Sequence, residues 1–416
     1  MMNTNKLLMA ALFAVMCAGQ LKAKSYSYRS VIVNNTDSTQ YLTPYVSRGL
    51  PLRGVRSAVV SVDDSIVPTQ LDDMDDDGCY DELCFMATLP PHCKKVVKLV
   101  TSDEPPARQF APRTYAEIVL RNPKVKEKNK HDIYLNSISL SPRTANPYNV
   151  LHHHGVAFEN ELIAIRIYMD PRQTVDLYGK YHKRLELQQT QFYTSKEQKQ
   201  QGYGDDVLWV GNSFGLGALR EYHDNQICML DTVESRTQRI ISAGPVRTVV
   251  EMSDNQWHTH GGQLIHLTER FTLYAGRRDV KVDVSSSEAM PDGSLCTGLV
   301  NIKKSTEYSN HLTTRGCWGT DWPASDTANW KRETLGLGIY VPKQFVVKQL
   351  EKDKLDYTTL LKMRNRHLCY YITYSSDDED FGYHSSESWF SWLQAWSNDL
   401  QQNNGLEHSV IWRKCN

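Results

Sequence analysis

Three consecutive imidazoles, His152-His153-His154, stand immediately before Gly155 and are the residues of this chain best suited to moving protons. An imidazole titrates close to neutrality and can act as acid or base. The segment that follows, Val156 to Tyr168, reads as one long strand, with Ile163, Ile165 and Ile167 on one face and Arg166 and Tyr168 on the other. Unbroken, that strand puts His152 and His154 on the Arg166 face. An exposed turn is the bland reading of the same residues. A zinc site would need a carboxylate or a further histidine supplied by folding. The next strand, Thr174 to Lys180, is apolar on one face and presents Asp176, Tyr178 and Lys180 on the other. From Gly202 to Gly217, glycines crowd among Tyr203, Asp205, Asp206, Trp209 and Asn212, which marks a shaped loop. Its spacing and the missing strand–helix context exclude a dinucleotide fingerprint.

Sugar recognition is a second chemistry these residue types allow. Trp257-His258-Thr259-His260 opens a strand with His266 and Arg270 on its polar face, and Cys317-Trp318-Gly319-Thr320-Asp321-Trp322 forms another aromatic loop. Aromatic faces stack on the apolar faces of sugar rings while polar neighbours meet the hydroxyls. Core packing accounts for much of the same composition. Glu269 falls in phase with apolar Ile265, Leu267 and Phe271, so it needs a buried partner. A third pattern is cationic. Asp73, Asp75, Asp77 and Asp81 occupy positions 1, 3, 5 and 9 around Gly78 at position 6, with Glu82 as a late ligand, as in the first part of a calcium loop. Cys84 stands where an EF-hand carries its bidentate glutamate, and neither flank reads as helix. A structural calcium loop between strands and a solvated acidic turn are the two readings. The chemistry itself calls for no cofactor.

Positioning these groups falls to strands. The 416 residues are 40% hydrophobic and 10% aromatic, and 47 Lys+Arg against 48 Asp+Glu leave no basic excess for nucleic-acid binding. Residues 1–23 read as an export signal: Lys6, an apolar run from Leu7 to Ala18, and a cleavage point after Gly19 or Ala23. That run is too short to span a bilayer, so the expectation is a soluble periplasmic or secreted protein. Met16 before Cys17 disfavours a lipoprotein. Residues 24–103 read as a small β domain, 104–114 as a linker around Pro105-Pro106, and 115–416 as a large β domain. Without repeats or interleaved helices, two large antiparallel sheets packed face to face are expected. One amphipathic helix is predicted, capped by Ser385 or Ser386, carrying Trp389, Leu393, Trp396 and Leu400, and ending at Asn403-Asn404-Gly405. An oxidising compartment permits disulfides among Cys79, Cys84 and Cys93.

The strings His152-His153-His154-Gly155, Phe158-Glu159-Asn160-Glu161-Leu162, Asp176-Leu177-Tyr178-Gly179-Lys180 and Gly204 to Asn212, continued by Ala243 to Arg247, resemble the domain of unknown function 4861 family. The likeness covers most of residues 25–416, including the Asp-rich turn. Many members carry Asp-Trp-Gly-x-Asp where this chain has Gly202-Tyr203-Gly204-Asp205-Asp206, so Asp206 matches and Tyr203 departs. The resemblance implies a galactose-mutarotase-like β-supersandwich behind a small β-sandwich. It further implies export by bacteria that degrade acidic polysaccharides, and elimination at a terminal uronic acid of an oligosaccharide.

Such an elimination removes the C5 proton and expels the group on O4. The neighbouring carboxylate must be neutralised, a base must reach C5, and an acid must protonate the departing oxygen. Arg166 or Lys180 is expected at the carboxylate, His153 or His154 as base, and Tyr178 or Tyr203 as acid. His152, Glu159, Asp176, Asp206, Trp209, Asn212, His258, His260 and Trp318 are expected to hold the sugar. Dehydratase and exo-lyase share this chemistry and differ only in what leaves. Two other classes stay open: a glycoside hydrolase using two carboxylates among Glu159, Glu161, Asp205, Asp206 and Glu269, and a non-catalytic glycan-binding protein.

Overall fold

The computed structural model describes residues 24–127, 130–141, 147–324, 327 and 330–415. The expected export signal, residues 1–23, lies outside them.

The small unit is a β-sandwich. Ser25–Val33, Lys94–Ser102 and Ser57–Val62 belong to a five-stranded sheet, and Gln40–Arg48, Glu82–Leu89 and Thr69–Asp72 to a four-stranded one. Alternate residues of both sheets, among them Ile32, Tyr45, Leu83, Phe85 and Leu99, close its core. The boundary expected at 115–416 needs one correction. His408–Ser409 and Arg413–Lys414 return to this sandwich as edge strands, pairing Tyr45 with His408 and Tyr28 with Lys414. Val410 and Trp412 pack on the small core, and the Trp412 indole donates to Ser47 Oγ at 2.7 Å, which draws the segment across.

The large unit is the expected antiparallel supersandwich. One layer is a nine-stranded sheet, and the other consists of a six-stranded and a five-stranded sheet. Single bridges, Val175–Gly215 and Leu216–Leu299, join the two smaller sheets edge to edge. Val156, Phe158, Ile165 and Leu177 from one layer meet Phe271, Val282, Leu337 and Ile372 from the other in a continuous apolar core. Glu269 is buried there, facing Arg220, Arg236 and Asp254, and burial pushes its carboxyl up to about 8. A neutral acid, rather than a break in the strand, resolves its place in the apolar phase.

The predicted helix forms at Ser386–Gln402. Ser385 caps it, accepting from Ser388 N at 3.2 Å, and Trp389, Leu393, Trp396 and Leu400 are buried. That stripe packs with Tyr340 and Tyr371 on the outer face of the nine-stranded sheet, and Trp389 Nε1 donates to Leu337 O. No helix among the described residues is long and apolar enough to cross a membrane.

Four polar residues fasten the units together. Arg247 donates to Asp72 Oδ2 and Glu82 Oε2, each at 2.7 Å, and Gln70 Oε1 accepts from the backbone of Val246 and Arg247. The eight described cysteines are all unpaired, so no disulfide links Cys79, Cys84 and Cys93. Cys84 is buried in the sheet core while the other two are only partly covered, which places their thiols in different surroundings.

The expected single strand from Val156 to Tyr168 is instead a hairpin, Gly155–Asn160 and Ala164–Tyr168. Asn160 makes the turn: its Oδ1 accepts from Leu162 N and Ile163 N at 2.8 and 3.0 Å. The histidines do not extend the strand, because His154 has φ +70 and breaks the alternation.

Candidate active site

The six-stranded sheet carries the site on the face turned away from the apolar core. Antiparallel register sets Arg166 opposite both Ala157 and Asp176, Tyr178 opposite Asp206, and Glu117 opposite Ala157. The period of two then gathers Glu117, Glu159, Arg166, Tyr168, Asp176, Tyr178 and Asp206 on one surface. Residues 187–193 cover that surface. Leu187 and Phe192 pack on Ala157, Ala164 and Tyr178, burying a polar layer that an open sheet would expose.

Arg166 is the centre of this layer and is almost fully buried. Its Nε and Nη2 donate to Asp176 Oδ2 at 3.0 and 2.6 Å, Nη2 to Asp206 Oδ2 at 2.9 Å, and Nη1 to the Tyr193 hydroxyl at 2.9 Å. Its guanidinium lies 4.1 Å from the Phe192 ring centroid. Burial first, and Asp176 second, push the Asp206 carboxyl well above the ordinary range despite Arg166. One cation therefore faces two carboxyl groups, with burial favouring the protonated form of Asp206, and the set is closed. Arg166 has no free fork left for a substrate carboxylate, so it acts as a positioning residue.

The three histidines divide their roles. His153 and Glu117 are wholly buried, with His153 Nε2 and Glu117 Oε1 3.1 Å apart. Burial drives His153 down to about 3 and Glu117 up to about 8, so the pair is neutral at pH 7 and the carboxyl proton is shared toward the imidazole. Tyr115 donates to the other oxygen of Glu117 at 2.9 Å. His154 Nδ1 donates to Tyr148 O at 2.9 Å, and its ring stacks on Tyr148 at 3.7 Å and 4°. That bond fixes the tautomer and leaves His154 Nε2 to accept from the Tyr193 hydroxyl at 3.4 Å. Burial lowers His154 to about 4 and His152 to about 3. His152 Nε2 is buried without a hydrogen-bond partner. Its ring meets His131 edge-on at 4.6 Å and Tyr193 at 5.3 Å.

A pocket of about 470 Å³ opens over His152 and is lined by Arg121, Pro123, His131, His152 and Tyr193. Arg121 is exposed; its one side-chain bond among the described residues runs from Nε to Leu151 O at 3.3 Å, with no partner there for its Nη atoms. Among the described residues no carboxylate lines this pocket. A guanidinium, two imidazoles and a phenol converge here, a set suited to binding an anion and moving protons around it.

Other expected site residues are placed elsewhere. Lys180 is buried against Glu159 and the carbonyls of Asn160 and Arg184, and Glu159 also accepts from Glu186 N and Leu187 N. This cross-brace anchors the covering segment and cannot reach a ligand. Tyr178 is fully buried, donating to Gly204 O at 2.8 Å beside Glu186. Tyr203 lies under the Arg184 guanidinium at 3.9 Å, away from the histidines. His258 ends the strand Arg247–His258 of the nine-stranded sheet, and His260 Nδ1 contacts Glu221 of the neighbouring five-stranded sheet at 2.7 Å. Trp318 packs under the long helix. Trp209 and Asn212 line a separate cleft with Trp322.

In the acidic loop, Asp73, Asp75 and Asp81 offer oxygens within 4.8 Å of one another, the one such group of three among the described residues. Asp77 instead accepts from Cys79 N, and Glu82 is turned to Arg48 and Arg247. Sequence reasoning missed Tyr193, Arg121, His131 and Tyr148. They lie outside the regular strands that carry Arg166 and Asp176, where no hydrophobic period fixes a direction; only their residue types could have drawn notice.

The family model for a domain of unknown function (DUF4861) matches residues 31–404. No curated protein matches the chain. Solved structures of similar shape include a protein in glycosyl hydrolase family 38 from Enterococcus faecalis, with TM-score 0.45 and 8% identity over 94% of this chain and 47% of that one. An alpha-mannosidase from Enterococcus faecalis V583 gives TM-score 0.41 and 8% identity over 94% of this chain and 46% of its own. The chain thus spans about half the length of the structures it matches.

Proposed function

The chain belongs to the DUF4861 family, and from that premise we propose that it catalyses β-elimination at a terminal uronic acid of an acidic oligosaccharide. What supports the reading is the Tyr193 hydroxyl, held between Arg166 and His154 in the wall of a pocket that also presents Arg121 and His152. Arg121 pairs with the uronate carboxylate and makes the C5 proton acidic. His152, unprotonated at neutral pH and lining the pocket, takes that proton. As the C4=C5 bond forms and the C4–O bond breaks, the Tyr193 hydroxyl gives its proton to the departing oxygen. Burial holds this phenol above its ordinary range, so it is protonated and ready to donate, and Arg166 faces the phenolate it becomes. Proton return from His152 to Tyr193, whose rings are 5.3 Å apart, restores both groups.

Water or a sugar leaves according to what O4 carries, so a dehydratase and an exo-lyase are the same machine with different substrates. Hydrolysis by paired carboxylates finds less support, because Glu159, Glu161, Asp205 and Asp206 are each engaged by a cation, Glu269 lies in the core, and none lines the pocket. The test is incubation with glucuronate-ended and iduronate-ended oligosaccharides, read by mass and ultraviolet absorbance. Loss of water, or chain shortening with a new double bond, is expected. Reducing-sugar release without absorbance marks a hydrolase, and unchanged substrate throughout marks a binding protein; either refutes the proposal.

A further inference from the structure

We infer that the cleft between Trp209 and Trp322 is a second sugar subsite that takes an anionic residue of the same oligosaccharide; this rests on the elimination reading of the neighbouring pocket. The cleft has a volume of about 140 Å³, room for one ring rather than a chain, and its lining includes Trp209, Asn212, Asp321, Trp322, Glu333 and Lys354. Trp209 is 54% exposed, an uncommon state for the largest apolar side chain. Gly211, at φ +51, turns the loop back beside it, with the position of a Cβ on Gly211 only 3.4 Å from the Trp209 Nε1. A rigid aromatic face is thus held open to solvent at the mouth of a cleft, the arrangement that stacks on a pyranose.

The polar groups say what kind of ring. Asn212 and Lys354 are exposed and make no hydrogen bond or ion pair among the described residues. Among the described residues that line the cleft Lys354 is the one cation, and its ammonium suits a carboxylate or a sulfate ester. Asp321 uses Oδ1 to accept from Trp322 N at 2.8 Å, which leaves Oδ2 for a sugar hydroxyl. Burial pushes the Glu333 carboxyl up to about 8, and Lys331 Nζ lies 3.8 Å from its Oε2.

The cleft and the histidine pocket are coupled through Arg172. Its Nη1 donates to Gly211 O at 3.3 Å, and its guanidinium lies 5.4 and 4.9 Å from the ring centroids of Tyr148 and Tyr168. Tyr148 is the ring on which His154 stacks, and Asp170 holds Arg172 from below. One continuous wall therefore joins the Trp209 loop to the Tyr193 hydroxyl, and the substrate is an oligosaccharide whose next sugars run along it.

The test compares wild type, Trp209→Ala and Lys354→Ala by calorimetric binding of acidic oligosaccharides of increasing length, with sulfated, desulfated and carboxyl-reduced arms. Wild-type affinity should rise with length, and either substitution should cancel that rise, by about tenfold for the lost aromatic face. Loss of Lys354 dependence in one arm identifies the anion. Equal length dependence in all three proteins, or equal binding of the neutral arm, overturns the inference. Length-dependent binding without turnover on any uronide would sink the elimination reading and leave the subsite standing. Turnover with length-independent binding would do the reverse.

Discussion

Replacing Tyr193 with Phe removes one oxygen from the pocket wall and nothing else. That oxygen accepts from Arg166 Nη1 at 2.9 Å and donates toward His154 Nε2 at 3.4 Å. Losing a positioned general acid costs about 10²–10⁴ in rate, which is about 3 to 5 kcal/mol of barrier. The folding cost is smaller, about 1.5–3 kcal/mol for one bond from a charged donor. Arg166 keeps Asp176 on two of its nitrogens, so the variant should remain folded. Absorbance of the C4=C5 product, followed with substrate concentration, should show the loss in kcat with KM changed little. The wild-type rate should also lack the usual imidazole inflection near 6.5, because His152 stays unprotonated down to about 3. A Tyr193→Phe protein that keeps a third or more of the wild-type kcat refutes the assignment of the phenol as acid.

Asp176→Asn should lower stability by about 3–5 kcal/mol, because it strips the buried Arg166 of the carboxylate that accepts from two of its nitrogens. Asp206→Asn should cost less, since burial already favours the protonated form of that carboxyl; denaturant unfolding of the two variants compares them, and equal losses would contradict this ranking. Glu117, held at about 8 by burial against an ordinary 4.5, keeps its proton in the folded state and loses it in the unfolded state between those values. Stability therefore falls with rising pH across that window, by up to about 1.4 kcal/mol per pH unit. His153, held at about 3 against 6.5, pulls the other way below 6.5, so from pH 6.5 to 8 the fall is carried by Glu117 together with Glu269 and Glu333, which burial also holds at about 8. Over that interval Glu117→Gln should lose less stability than wild type, and parallel unfolding curves would count against a neutral Glu117. Arg247→Met leaves the buried Asp72 without its cation and Glu82 with Arg48 alone, and should cost about 3–5 kcal/mol, read by thermal unfolding. A loss below about 1 kcal/mol would mean that the two units are held by other contacts.

Period-two alternation made the strands and their polar faces legible: Arg166, Tyr168, Asp176 and Tyr178 share a surface, as their phase requires. The helix was legible for the same reason, its stripe at every third or fourth residue matching the buried side chains of Ser386–Gln402. Phase could not show which of those polar residues reach solvent. Lys180 and Tyr178 point as expected and still cannot touch a ligand, because residues 187–193 fold over them. That cover has no regular period, so its Tyr193 and the direction of its packing were invisible. The hairpin at Asn160 was hidden in a run with enough apolar residues to pass for one strand, although Asn-Glu at its middle is a turn pair. The return of Arg413–Lys414 to a partner at Tyr28 leaves no local mark at all.

That return has a consequence for biogenesis. A polypeptide emerging from the ribosome exposes the strands Ser25–Val33 and Gln40–Arg48 long before their outermost neighbours, Arg413–Lys414 and His408–Ser409, have been made. The unit begun first is finished last, its edge open until Trp412 arrives from the end of the large unit. A nascent chain stalled before that point would display unpaired backbone while already owning every group of the pocket, which makes the clasp a natural checkpoint between a folded large unit and a completed chain.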